Sequence, residues 1–542
     1  MARSIAIGAG FAALVWFLVR VIPKPSRASY PCQRAAFPLA SAFVLWVCSL
    51  SGLFTLALPK RMLNRHPRVL TAVLVLMLAV SGSWLYRTHR AQAAARATLW
   101  NYAPQHRNDP VGTARGLYPG RVVWAHDPKA AHWSGNLNDA TDQWWMEKNN
   151  DQARIDTMMS STLRQLTGSG SDDDAWKKIF TYYNQRARSL RNRGYQSDEV
   201  VAIKINLNNS AASGAGNYVN ASPQVTFAMV QELVEHAHVP PSKIIVYDAK
   251  RFIYPALLTK IWSKYKDVRF VQYGAPQPAQ PVNPGYGSYR GLEAADWVEG
   301  VDYSANTYHD AKLIPRQIKD ATYIINLALL KAHSYPYAAS EGGDEGQTAV
   351  TMTGKNHFGS IKGTPELHAA INTDREGTPH AYSPLVDLAA SPNLGAKTIL
   401  YMLDGLYCGR RHQSYPLHFP NAPFHNRVEP YANPEWPSSL LASFDGVALD
   451  SVGLDILYAQ SQNNIDKDGH PRILIRENAD DYLQEEATPE HAPSGTAYRQ
   501  DGKMVQSLGV FEHWDSDATR LYSRNKDPKH GKGIELIYLP VK

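Results

Sequence analysis

Val201–Pro223, VAIKINLNNSAASGAGNYVNASP, carries an apolar β-branched run into a Gly/Ser/Asn-rich loop and then onto Ser222-Pro223. Serine is a favoured N-cap and proline suits the first helical position, so the stretch reads strand, loop, helix. The rhythm continues downstream. Strand patterns fall at Val200–Leu207, Lys243–Tyr247, Val268–Tyr273, Thr322–Ile325, Ala349–Met352 and Thr398–Leu403. Helical spacing falls at Pro223–Ala237, Pro255–Lys264, Leu385–Ala390 and Ala448–Gln460. Short strands alternating with amphipathic helices predict an α/β fold with a mostly parallel sheet and helices on both faces.

Working upstream, Asp151–Leu166 and Asp174–Leu190 show helical spacing, and Asn101–Asn149 is punctuated by Pro and Gly. Before them lie three uncharged stretches, Ser4–Val19, Ala35–Pro59 and Val69–Tyr86. About 20 apolar residues cross a hydrocarbon core, and a terminal Arg can snorkel to the headgroups, so all three suit transmembrane helices. A signal peptide would explain the first stretch alone, not the two behind it. The expected organisation is therefore a transmembrane anchor over residues 1–90, a helical and irregular lead-in over 91–198, and an α/β domain over 199–542.

The 542 residues carry a net charge of +7. Much of the basic excess flanks the apolar stretches, as at Arg20, Lys24, Arg27, Lys60, Arg61 and Arg87, which is the signature of membrane topology rather than of nucleic-acid binding. The basic sets on the two sides balance, so charge does not orient the anchor. A body rich in Tyr, Trp and Asn leans towards the extracytoplasmic side. Of three cysteines, Cys32 and Cys48 lie in the anchor and Cys408 stands alone in the body. This excludes, within the body, a disulfide framework, a four-cysteine zinc site and a four-cysteine iron–sulfur cluster.

Three groups of residues could carry chemistry. In Val201–Pro223, loop N–H groups and a helix N-terminus could receive an anion, with Lys204 adding charge; the competing reading is a long connection beside an exposed lysine. It is neither a Walker A loop nor a G-x-G-x-x-G fingerprint. In Ile325–Gly363, Lys331 and His333 close one strand pattern, and Lys355, Asn356 and His357 follow another. Ligands of parallel α/β sheets sit beyond the carboxyl ends of the strands, where all of these would meet. The Gly-rich acidic loop Glu341–Gln347 between them could act as a lid. The third group is acidic: Asp248 and Asp404 end strand patterns, while Asp445 and Asp450 stand in FDGVALDSVGLDIL. Asp404 is the functional candidate, able to orient a histidine or a metal. His412, His418 and His425 fit no recognised ligand spacing, so no metal residues are assigned. The cofactor is left open. No G-x-S-x-G elbow occurs.

The body resembles the domain of unknown function 362 (DUF362) family. The resemblance rests on VAIKINL at Val201–Leu207, INLALLKAH at Ile325–His333, TGKNHFGSI at Thr353–Ile361, YMLDGLYCG at Tyr401–Gly409 and DGVALDSVGLDIL at Asp445–Leu457, with GTARGLYPGRVVWAHDP at Gly112–Pro128 similar to members that have an extra N-terminal segment. Together these span most of residues 112–460. The resemblance implies a shared α/β core and points to Lys204, Asn206, Lys331, His333, Lys355 and Asn356. It implies no reaction. Some members are fused to ferredoxin-like modules, whose cysteines this chain lacks.

The expectation is a membrane-anchored enzyme, a hydrolase or group transferase acting on an anionic small molecule, glycan or lipid head group. Lys204, Asn206, Lys331, Lys355 and Asn356 would bind substrate; His333, His357 and Asp404 would be catalytic. The alternatives are a non-catalytic receptor for an anionic ligand and a redox-associated protein using an external cofactor. The anchor is testable. The full chain should stay with membranes through carbonate extraction, while a chain starting at Asn101 should be soluble; full-length protein in the supernatant would contradict this.

Overall fold

The computed structural model describes Trp16 and residues 104–541, apart from 209, 334–349, 369–380, 411–413, 425–434, 463, 465–472, 474 and 476–478. Apart from Trp16, the three apolar stretches of the expected anchor lie outside the described residues. Among the described residues, no helix is long and apolar enough to cross a membrane.

Among the described residues nine strands form the central sheet: β1 (Arg121–His126), β2 (Val201–Ile205), β3 (Ile244–Asp248), β4 (Arg269–Gln272), β5 (Leu292–Ala294), β6 (Tyr323–Leu329), β7 (Thr398–Gly405), β8 (Ser439–Ser443) and β9 (Glu535–Pro540). Their spatial order is β9-β1-β8-β7-β6-β2-β3-β4-β5. From β7 through β6, β2, β3 and β4 to β5 every pairing is parallel, as is β1 with β9. β8 runs against both its neighbours, β7 and β1. The sheet is thus mixed, which corrects the expectation of a mostly parallel one. A strand entered from the long loop after β7 can lie beside β7 without a crossover helix, and this makes the antiparallel pairing accessible.

The strand patterns read from the sequence all appear, shifted by a residue or so at their ends or, for Thr322–Ile325, extended to Leu329. β1, β5, β8 and β9 did not register as strands. β1 lies within the Pro/Gly-punctuated lead-in, so that segment supplies part of the sheet.

Helices cover both faces. On one side lie α1 (Gln152–Thr167), α2 (Asp172–Arg188), α3 (Pro223–Glu235) and α4 (Pro255–Trp262). Ile155, Met159, Leu163, Phe180, Met229 and Ile261 of these helices pack with Ile203, Val246, Ile325 and Met402 of the sheet. On the other side, α6 (Pro384–Ala390), α7 (Gly446–Ser461) and α8 (Asp481–Ala487) follow the single turn α5 (Thr353–Asn356). Leu385, Leu449, Val452, Ile456 and Leu483 pack there with Ala202, Ile245, Ile324, Ala328 and Leu403. Side chains alternate along a strand, which is why neighbours such as Ile324 and Ile325 belong to different cores. The cap read at Ser222 is present, accepting from Val225 N at 3.1 Å, and Asp445 caps α7 by accepting from Ala448 N at 3.0 Å.

Beneath α7 a charged group is sealed inside. His513, fully buried, lies 2.5 Å through Nδ1 from Asp455 Oδ1 and 3.2 Å through Nε2 from Asp480 Oδ2. Tyr522 Oη also donates to Asp455, at 2.6 Å. Burial opposes the charge on His513, but the two carboxylates outweigh it and raise the pKa from 6.5 to about 9. The folded chain therefore holds a proton that the unfolded chain releases above pH 6.5. This contribution is complete below that pH and is lost as pH rises through about 9, with a size of up to about 3 kcal/mol. Urea denaturation across this range should show the decline in the native chain and a flatter profile in His513→Gln; parallel profiles would contradict it.

Candidate functional site

The site begins at β2. Lys204 and Asn206 alternate with Ile203 and Ile205, and so project to the α7 side of the sheet. In register beside Lys204 stand Tyr247 on β3 and Asn326 on β6, and beside Asn326 stands Tyr401 on β7. Lys204 is wholly buried. Its Nζ donates to Asp248 Oδ2 at 3.1 Å, to Asn356 Oδ1 at 3.1 Å and to the Ile205 carbonyl. Burial lowers the lysine's pKa, and Asp248 pulls it back up. Asp248 also receives the Leu207 N–H at 3.2 Å and the Lys250 N–H at 3.0 Å, which fixes the loops after β2 and β3.

The segment TGKNHFG, Thr353–Gly359, lies over this ion pair. Its first turn is anchored by Asp450 of α7, which accepts from Thr353 N at 2.9 Å, Thr353 Oγ1 at 2.7 Å and Gly354 N at 2.9 Å. Burial raises the Asp450 pKa to about 6, against the pull of those donors. At its far end Gly359 closes over the pair: a Cβ there would meet Lys204 Nζ and Asp248 Oδ2, each at 2.5 Å. Between these points Asn356 donates to Asn326 Oδ1 at 2.7 Å and to the Lys204 carbonyl at 3.2 Å. Asn326 in turn donates to the Thr353 carbonyl at 3.0 Å, and Asn206 to Asn356 Oδ1 at 3.4 Å.

After β6 the chain forms a two-residue ladder, Lys331–Ala332 with Val350–Thr351, which returns it directly to α5. That return sets His333 beside Lys355, with Nε2 and Nζ 3.5 Å apart and both residues buried. Lys204, Asn206, Asn326 and Asn356 therefore form one hydrogen-bonded group at the carboxyl edge of the sheet, and the Lys355–His333 pair adjoins it through the peptide between Lys355 and Asn356. Lys331 is also buried but lies against Gly409, and its Nζ donates to the Ala332 carbonyl at 3.4 Å. Beside it, burial pushes the Cys408 thiol up to about 12.

His357 lies one layer deeper. Its Nδ1 is 3.1 Å from Ser360 Oγ, which is 3.1 Å from Tyr247 Oη. Burial, with the Lys204 charge behind it, lowers its pKa to about 3, so the imidazole is neutral at physiological pH. With Asn326, Thr353, Arg115, Tyr401 and Glu486 it lines a cavity offering about 20 Å³ to water centres, room for one water. His357 Nε2 and Glu486 Oε1 are buried there without hydrogen-bond partners among the described residues.

Asp404 does not join the group. It pairs in register with Leu329 and shares the side of β7 taken by Met402, on the opposite face of the sheet from Lys204. There its carboxylate receives the Ser222 N–H at 2.9 Å and the Leu406 N–H at 3.1 Å. Burial raises its pKa to about 6. Its place is at the start of α3, where it fixes the helix.

The sequence reading passed over Asn326, although an asparagine within an otherwise apolar strand, INLALL, was the available signal. It also left Asp248 and Asp450 undecided. Of the loop histidines, His418 stacks on Trp436 at 3.6 Å between ring centroids, while His412 and His425 lie outside the described residues, as does the expected lid at Glu341–Gln347. Among the described residues, Asp172, Glu232 and His236 form a separate group with ligand atoms within 4.8 Å of one another. Arg164 and Ser160 already occupy both Asp172 oxygens at 2.7–2.9 Å, so this group is internally satisfied at that carboxylate.

Residues 201–455 match the family model described as Domain of unknown function (DUF362). This supports the resemblance read from the sequence. The DUF362 match opens on the first residue of β2 and closes within α7, so it contains the whole Lys204–Asn356–His333 group and Asp450, while β1 and β9 fall outside it. No curated protein and no solved structure gives a match.

The ion pair can be weighed by mutation. Lys204→Met leaves Asp248 buried beside an apolar chain and should destabilise the fold by about 3–5 kcal/mol, and Asp248→Leu similarly. The double variant should lose much less than the sum, with a coupling above about 1 kcal/mol in denaturant titrations. Additive losses would show that the pair does not act as a unit.

Proposed function

We propose that the chain is a membrane-anchored enzyme, a hydrolase or group transferase, that acts on an anionic substrate at the carboxyl edge of β2 and β6. The observation that carries this reading is the buried contact between Lys355 Nζ and His333 Nε2 at 3.5 Å, on the residue next to Asn356 in the Lys204–Asn356 network. An ammonium holds negative charge, and an imidazole at its side moves a proton to or from the reacting group. In this scheme Lys355 binds the anion and His333 is the general acid–base. Lys331 reinforces the charge from the neighbouring strand pair. Lys204, Asn326 and Asn356 hold the TGKN turn in position, and His357, neutral and bonded to Ser360, supports that turn from behind. The substrate is a small molecule or a glycan or lipid head group, met on the extracytoplasmic side. Asp404 has no catalytic part.

A receptor for an anionic ligand would use the same cations without needing the histidine. The two are separated with the full chain, inorganic phosphate as the binding probe, and p-nitrophenyl phosphate and p-nitrophenyl acetate as general turnover probes. Phosphate at millimolar levels should raise the melting temperature. Lys355→Ala should remove that rise. His333→Ala should keep it while lowering turnover by about a hundredfold or more. A histidine variant that loses affinity alone would favour the receptor, and a native chain indifferent to phosphate would contradict the anion site.

A further inference from the structure

Three side-chain amides in the site form an oriented series whose last acceptor is empty. The orientation is fixed from two ends. At one end the Thr353 carbonyl can only accept, so Asn326 must turn its Nδ2 towards it, as it does at 3.0 Å, and present Oδ1 to Asn356. Asn356 answers with Nδ2 at 2.7 Å, which leaves its own Oδ1 on the other side. There the second fixed end applies, because the Lys204 ammonium can only donate and does so to Asn356 Oδ1 at 3.1 Å. Asn206 meets the same oxygen and must also donate, through Nδ2 at 3.4 Å. Turning any one of the three amides over would set two oxygens or two NH2 groups against each other. Asn206 Oδ1 is therefore the terminus of the series. It is buried, on a residue only 8 % exposed, and has no hydrogen-bond partner among the described residues.

A buried acceptor without a donor is costly, and the described residues offer it none. Yet the other polar atoms of the series are satisfied, and Asn206 lies beyond the end of β2, on the amide of Asn356 that also accepts from Lys204 and follows Lys355 in the chain. We propose that the ligand of this site is an oxyanion that also carries a hydroxyl group, and that this hydroxyl donates to Asn206 Oδ1. The inference rests on the anion reading above and narrows it to hydroxylated anions, such as a polyol phosphate or a hydroxy acid. Simple anions of equal charge would leave Asn206 as it is. A free metabolite and a lipid head group can both present this chemistry.

The test compares matched ligands on the full chain by isothermal titration. Glycerol 1-phosphate should bind about five- to tenfold more tightly than n-propyl phosphate, and glycolate more tightly than acetate, since each pair differs chiefly in hydroxyl donors. In Asn206→Ala that preference should fall to about one while propyl phosphate still binds. If this variant does not fold, the comparison on the native chain stands by itself. Mixed micelles of phosphatidylglycerol and of phosphatidylethanol repeat the comparison for a lipid source; tighter binding of the glycerol head group there supports the same claim and names the lipid as the source. Equal binding within every pair overturns the hydroxyl inference and leaves the anion reading intact, as expected if a water fills the acceptor. Failure of every anion to bind overturns both.

Discussion

The buried ion pair between Lys204 and Asp248 is the constraint on which the rest of the site depends. An ammonium taken wholly out of water is tolerated only if its donors are all met, and here a carboxylate, an amide oxygen and a main-chain carbonyl meet them. Each of those acceptors belongs to a different piece of chain. Asp248 ends β3, Ile205 ends β2, and Asn356 sits on the turn after the excursion from β6. Satisfying one lysine therefore brings the ends of the strands and the TGKN turn to one place. The pair contributes little as an attraction once desolvation is counted; its effect is to make other arrangements of these segments more costly.

From that anchor the proposed chemistry follows by position. Asp450 and Gly359 hold the two ends of the Thr353–Gly359 segment, one by accepting its first N–H groups and the other by having no side chain where the ion pair needs the space. With both ends fixed, Lys355 is carried to His333 on the returning ladder. The carboxylates that look catalytic by residue type, Asp404, Asp445 and Asp450, instead accept backbone N–H groups at the starts of helices or turns. Helix starts expose several unpaired donors, and a buried carboxylate is an effective way to satisfy them.

Much of the fold was legible because alternation of short apolar runs with capped helices is a local signal. Ser222-Pro223 marked the start of α3 without any knowledge of its neighbours. What the sequence left out depends on distant chain. β8 is a five-residue run whose direction is set by the long loop before it, and β9 lies near the end of the chain yet pairs with β1. The site was legible in part: Lys204, Asn206 and Asn356, named from strand-end positions, hydrogen-bond to one another, and His333 and Lys355 form a separate contact on the residue next to Asn356. Asp404 shows where that reasoning stops. Its distance from the strand end suited the site, but strand alternation carries it to the other face, and the register that decides this is set by pairing with β6. His357 was read as lying in the cleft with Lys355; two residues along a helical turn its side chain points about 200° away, onto Ser360, which in turn meets Tyr247.

The most direct test of the central claim, that this edge of the sheet is an anion site held in place by the buried ion pair, is anomalous diffraction from crystals of the full chain soaked in bromide. The account predicts a bromide peak within hydrogen-bonding reach of Lys355 Nζ, and its disappearance in Lys355→Ala crystals of the same form. Bromide found at surface lysines but absent from this edge would contradict it.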